Sequence, residues 1–228
     1  MGRKAGMVHA GCFNVRLFNE LVAEIMPDVE VVHLVDEGLP ALSGEQFRGR
    51  VIRRLQLLAS FAQESGAEVV MLTCTAFGRL VDEVKVALNI PVLAVLEIMV
   101  DEALGMAGRI GILGTHPGTL ASAQQIIQEE ALRRGRKAEV KTLLCPGAFD
   151  ALRRDDWAGH DRIVLEHLNR LMDAVEVVII PQPSIERVIQ QVPATSRKVP
   201  LISSARLSVQ RLKEKLDRLA QHPQQMRD

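Results

Sequence analysis

Short apolar runs rich in β-branched residues alternate along the chain with longer stretches in which apolar positions return at helical spacing. The runs predict strands at 6–10, 29–35, 68–73, 91–96, 109–114, 139–144, 176–180 and 199–203. They are continuous rather than alternating, as expected for strands covered on both faces. Between them, 46–65, 119–134 and 161–174 read as amphipathic helices. In the last of these, Ile163, Leu165, Leu168, Leu171 and Met172 line one face between charged residues. Strand and helix alternate throughout, which predicts an α/β fold with parallel sheets. No linker or low-complexity tract interrupts it, and a polar tail at 221–228 is expected to fray.

The pattern occurs twice. EVVMLTCT at 68–75 matches EVVIIPQP at 176–183, an offset of 108. VEVVHLVDEG at 29–38 and AEVKTLLCPG at 138–147 are offset by 109, as are IPVLAVLEI at 90–98 and VPLISSARL at 199–207. GMVHAG at 6–11 and GILGTH at 111–116 are offset by 105. The ordered set predicts two pseudo-symmetric lobes, each a four-stranded parallel sheet flanked by helices, with a site in the cleft between them. The expected boundaries are 1–98 plus 206–228 for the first lobe and 99–205 for the second. Ligands of such sheets bind beyond the carboxyl ends of the strands, which directs attention to 9–12, 73–77, 115–119, 145–147 and 181–184.

Composition narrows the function. Among 228 residues, 28 basic side chains balance 28 acidic ones, which argues against a nucleic-acid or membrane-surface partner. No apolar run approaches the roughly 20 residues that cross a bilayer, and MGRKAGMVHAG does not read as a signal peptide. Cys12, Cys74 and Cys145 form neither a CxxC pair nor an even set, so reduced thiols in the cytoplasm are expected. Aromatics make up 3% with no Tyr, which disfavours base stacking and a flavodoxin-like redox domain alike.

Cys74 in LTCTAFG stands where a strand ends and a helix is expected to start, a position that lowers a thiol pKa. Thr73, Thr75 and Ala76 add hydroxyls and N–H groups able to cradle a carboxylate. GILGTHPGT is the corresponding turn of the second half, where Thr115, Gly118 and Thr119 offer either a second anion cradle or simple helix capping. Neither GxGxxG nor a Walker motif is present. Gln182 occupies the place of Cys74 in the repeat, 108 residues on. An amide cannot titrate, so Gln182 and the neighbouring Ser184 read as ligand-orienting groups, or as partners of the turn backbone. His9 follows the first strand on the same rim and is the candidate second proton carrier. Cys145, His33, His116, His160 and His167 read as packing or solvent residues, and His9, Cys12, Cys74 and His116 lack the spacing of a metal site.

The segments VHAG, MLTCTAFG, PVLAVLEIMVDEA, RIGILGTHPGTL, GAFDAL with HDRIV, VVIIPQPSIERV and VPLISSARLSVQRL together resemble the aspartate/glutamate racemase superfamily over nearly the whole length. That superfamily includes hydantoin racemases, maleate isomerases and arylmalonate decarboxylases. The resemblance implies two α/β lobes, a cofactor-free site, Cys74 as the first catalytic cysteine, and Thr115 with Thr119 as second-lobe threonines. It also makes a homo-oligomer an expectation. Where the second cysteine belongs, this chain has Gln182-Pro183, like a branch that lacks that thiol. The expected function is therefore a cofactor-independent racemase or isomerase acting on a small carboxylic or amino acid through one cysteine. Decarboxylase-like or lyase chemistry, and a non-catalytic carboxylate-binding protein, stay open as alternatives.

Overall fold

A computed structural model describes residues 3–42 and 44–221. All but the first residue of the polar tail at 221–228 therefore falls outside the described residues. Residues Leu96–Leu207 form one compact unit, and the chain on either side of them forms the other.

In the first unit the elements run β1 (Arg3–His9), α1 (Phe13–Ile25), β2 (Val29–Val35), α2 (Arg48–Glu64), β3 (Val69–Leu72), α3 (Val81–Lys85) and β4 (Val92–Ala94). Their parallel strands lie in the order β2-β1-β3-β4. Helix α4 (Val95–Met106) carries the chain into the second unit, where β5 (Arg109–Gly114), α5 (Pro117–Arg133), β6 (Glu139–Leu144), α6 (Ala148–Arg153), α7 (Trp157–Met172), β7 (Val177–Ile180), α8 (Pro183–Gln191) and β8 (Leu201–Ser203) follow. Helix α9 (Ser204–Gln221) returns it. The second sheet has the order β6-β5-β7-β8, the same permutation as the first, so the twofold repeat in the sequence is a twofold repeat of topology.

Position in the sheet decides how far each strand matches the expectation of two covered faces. Every residue of the inner strands β3 and β7 is buried. The edge strands depart from it: most of β2 is only half-buried, and Glu139, Lys141 and Thr142 of β6 are exposed. An edge strand meets a neighbour on one side only, so its polar residues reach solvent without leaving ladder partners unpaired. Around β3 and β1 the first core gathers Val8, Leu55, Ala59, Val70, Leu72 and Val84. Burying an aliphatic side chain of this kind contributes about 1.5–3 kcal/mol. Helix α2 approaches β1 so closely that a Cβ on Gly6 would stand 2.4 Å from Ala62 Cβ, which explains a glycine inside a strand.

Candidate functional site

The rim of the first unit is built where β1 and β3 end side by side, with Val8 paired to Leu72. His9 and Thr73 come next. His9 is fully buried, with Nδ1 2.9 Å from Thr73 Oγ1 and Nε2 2.8 Å from His33 Nδ1. The His33 ring stacks on His9 at 5.1 Å, and its Nε2 lies 2.9 Å from Asn19 Oδ1. Both nitrogens of His9 are thus committed inside the protein. Burial, reinforced by the adjacent His33, lowers its pKa from 6.5 to about 4. His33, expected only to pack or to meet solvent, is the middle of a hydrogen-bonded chain.

Cys74 is half-buried and extended, and it leads into a 3-10 helix at Thr75–Leu80 rather than an α-helix. The N–H groups of Ala76 and Phe77 support the sulfur, but burial outweighs them and raises the thiol pKa. This reverses the expected lowering. The two opening N–H groups of a short 3-10 turn cannot offset the cost of charging sulfur among Phe77, Leu80 and neighbouring apolar residues. At neutral pH the group is therefore a protonated thiol rather than a thiolate. Thr73 and Thr75 are buried, whereas Ala76 is exposed.

On the second unit, Thr115 and Gln182 hold each other. The Thr115 N–H donates to Gln182 Oε1 at 2.6 Å, and Gln182 Nε2 donates to Thr115 Oγ1 at 3.0 Å. Gly114 makes room for this clamp, since a Cβ there would stand 3.0 Å from Gln182 Oε1. Gln182 therefore serves neither its own turn nor a ligand alone: it joins the ends of β5 and β7. Removing it in Gln182→Ala leaves the buried Thr115 N–H unpaired, and chemical denaturation should show a loss of about 1–3 kcal/mol. The expected cradle at Gly118 is smaller than the sequence suggested, because its N–H donates to His116 Nδ1 at 3.2 Å. Thr119 and Ser184 are half-buried.

The other candidates separate cleanly. Cys145 is a fully buried packing residue with its thiol pushed up to about 12. Cys12 is exposed, and its N–H donates to Glu37. Among the described residues no group of three or more His, Cys, Asp or Glu is placed to hold a metal ion, and no helix is long and apolar enough to cross a membrane. One pair escaped sequence reading. Glu186 is 3% exposed, its Oε1 accepts from Ser203 Oγ at 2.7 Å, and its Oε2 has no hydrogen-bond partner among the described residues. The available signal was a glutamate on the otherwise apolar inner face of the α8 segment.

The family described as Asp/Glu/hydantoin racemase matches residues 9–212. A glutamate racemase of Streptococcus thermophilus is 26% identical over 205 residues, covering 86% of this chain and 74% of that protein. In fold, the chain is similar to glutamate racemase from Francisella tularensis, solved in complex with D-glutamate. The TM-score is 0.71 at 18% identity, over 96% of this chain and 82% of the other. It is also similar to an aspartate racemase homologue from Pyrococcus horikoshii, with a TM-score of 0.73 at 16% identity, covering 94% and 99%. With its two like-ordered parallel sheets and a match spanning nearly all of its length, the chain belongs to the Asp/Glu/hydantoin racemase family.

Proposed function

We propose that this racemase-like enzyme moves a proton at the α-carbon of a small carboxylic or amino acid, without a cofactor, and that Cys74 is the proton carrier. The observation that supports this best is the Cys74 sulfur itself: half-buried at a strand end, backed by the Ala76 and Phe77 N–H groups, with burial keeping it protonated near neutrality. A thiol in that state delivers a proton, and the thiolate left behind takes one, while the N–H groups limit the cost of the charge. Thr75, Ala76, Thr119 and Ser184 are assigned to substrate binding. Thr115 contributes with its hydroxyl orientation fixed by Gln182. Thr73 and His9 are one step removed, since both are buried and bonded to each other. The reading places the enzyme in the cytoplasm with a small carboxylate as its partner; a homo-oligomer is part of the same proposal.

The test is deuterium wash-in. The protein is incubated in D2O with a panel of short amino acids and dicarboxylates, and α-proton loss is followed by NMR together with optical rotation. Deuterium entering one acid of the panel is the expected result. A panel that acquires no deuterium, while an acid of it raises the melting temperature by binding, leaves a carboxylate-binding protein instead.

A further inference from the structure

Helix α2 keeps one face out of its own unit. Val51, Leu55, Ala59 and Ala62 turn into the core. On one flank Gln56 donates to Glu83 O and Gln63 accepts from the Asn89 N–H, both at 2.8 Å; on the other, Arg54 holds Asp36 at 2.5 Å. The stripe left over is Arg50, Arg53, Leu57, Phe61 and Glu64, and all five are exposed. Leu57 and Phe61, one turn apart, leave half of their surface in water, at 52% and 51%. The charges of the stripe are uncompensated too. Arg48 and Arg54 each pair with a carboxylate, Glu83 and Asp36, whereas Arg50, Arg53 and Glu64 have no ion-pair partner among the described residues. Arg50 rests only over the Phe47 ring, 5.6 Å from its centroid. These charges also oppose the helix dipole, since the first turn of α2 holds arginines and no acid, and its last turn holds Glu64 and no base.

We propose that this stripe is the contact face of a homodimer, with a second copy of the chain laying its own α2 antiparallel across it and the twofold axis passing at Leu57. The stripe is self-complementary about that residue. Arg50 and Glu64 each lie seven residues from Leu57, two turns of helix and so on the same face. A twofold there sets Arg50 of each copy against Glu64 of the other. Arg53 and Phe61 lie four residues to either side, so the same rotation lays each guanidinium on a ring of the other copy, and Leu57 meets its own counterpart. Reversal of direction with inversion of charge is what an isologous contact asks of a helix, and a partner of another sequence demands no such symmetry. Antiparallel pairing also relieves the misplaced charges, because Arg50 comes to the negative end of the other helix and Glu64 to its positive end. The inference rests on the homo-oligomer of the proposed function and names its face. A helix of 17 residues is about 25 Å long, too small a contact by itself for the tightest class of complex, so the association is expected to depend on concentration.

Sedimentation velocity over a wide range of protein concentration tests this. The wild-type mass should rise from the 25.2 kDa of one chain toward twice that value. Leu57→Asp puts two carboxylates on the axis and should raise the dissociation constant about 100-fold or more, while the melting temperature stays put because the site is exposed. Arg50→Glu should raise it about tenfold or more, and Arg50→Glu combined with Glu64→Arg should restore it. Mild oxidation should cross-link Leu57→Cys into a covalent dimer. Arg50→Cys should not cross-link, since its two copies stand about 21 Å apart along the antiparallel pair, and wild type controls for Cys12. A dimer indifferent to Leu57→Asp overturns the face and leaves the homo-oligomer standing. A charge swap that fails to recover, or equal cross-linking at both positions, overturns the antiparallel arrangement and the inference with it. A chain that stays at 25.2 kDa throughout overturns the homo-oligomer as well, and leaves the Cys74 chemistry to its own test.

Discussion

Cys74→Ser will lower deuterium wash-in by about 1,000-fold or more, the largest effect expected from any single substitution in this chain. Oxygen replaces sulfur with little change in size, so the Ala76 and Phe77 N–H groups keep an acceptor and the fold should hold. What is lost is acidity. Even with its pKa raised by burial, a thiol exchanges protons far more readily than an aliphatic alcohol. Melting temperature should move little, so the loss belongs to the chemistry. The control is Cys12→Ser, which alters an exposed thiol on the first unit and should leave wash-in unchanged. Wash-in within about tenfold of wild type in Cys74→Ser would remove the cysteine from the mechanism, since general acid–base groups contribute more than that.

Acid should destabilise the protein by about 3 kcal/mol through His9, given a fall in its pKa from 6.5 to about 4. The folded state holds the ring neutral while the unfolded chain protonates it. The penalty therefore begins as pH falls below 6.5, is complete near 4, and is absent above 6.5. Both ring nitrogens are held by partners inside the protein. His33 Nε2 lies 2.9 Å from Asn19 Oδ1, His9 Nε2 2.8 Å from His33 Nδ1, and His9 Nδ1 2.9 Å from Thr73 Oγ1, whose hydroxyl donates to Val8 O at 3.0 Å. Glu186, raised by burial, works in the opposite sense over part of the same window, so the measurement is a difference. Urea denaturation of wild type and His9→Gln at pH 7.5 and 4.5 should show wild type losing more, by most of that 3 kcal/mol. Equal losses would mean that His9 is not held neutral.

The fold was legible because its signals are local. The predicted bounds 29–35, 109–114 and 139–144 coincide with β2, β5 and β6, since apolar β-branched runs bounded by turn residues leave little choice of conformation. Helix α7 starts four residues earlier than its apolar stripe, at Trp157, because Asp156 caps it by accepting from the Gly159 N–H at 2.8 Å. The 3-10 geometry after Cys74 was not legible, as N–H placement in a turn depends on how Phe77 and Leu80 enter the core.

Determined by the sequence alone were the repeat, the order of the chemistry-bearing turns along the chain, and the fact that an amide stands where a thiol was expected. Periodicity and residue type carry that information because they depend on neighbours along the chain. Tertiary structure alone decided which groups meet and what charge they hold. Thr73 lies 64 residues from His9, Thr115 67 from Gln182, and Ser203 17 from Glu186. Whether a thiol rises or falls, whether an imidazole stays neutral, and whether a glutamate has a free oxygen are set by desolvation and by partners brought from distant strands. Those are properties of packing, and no spacing along the chain encodes them.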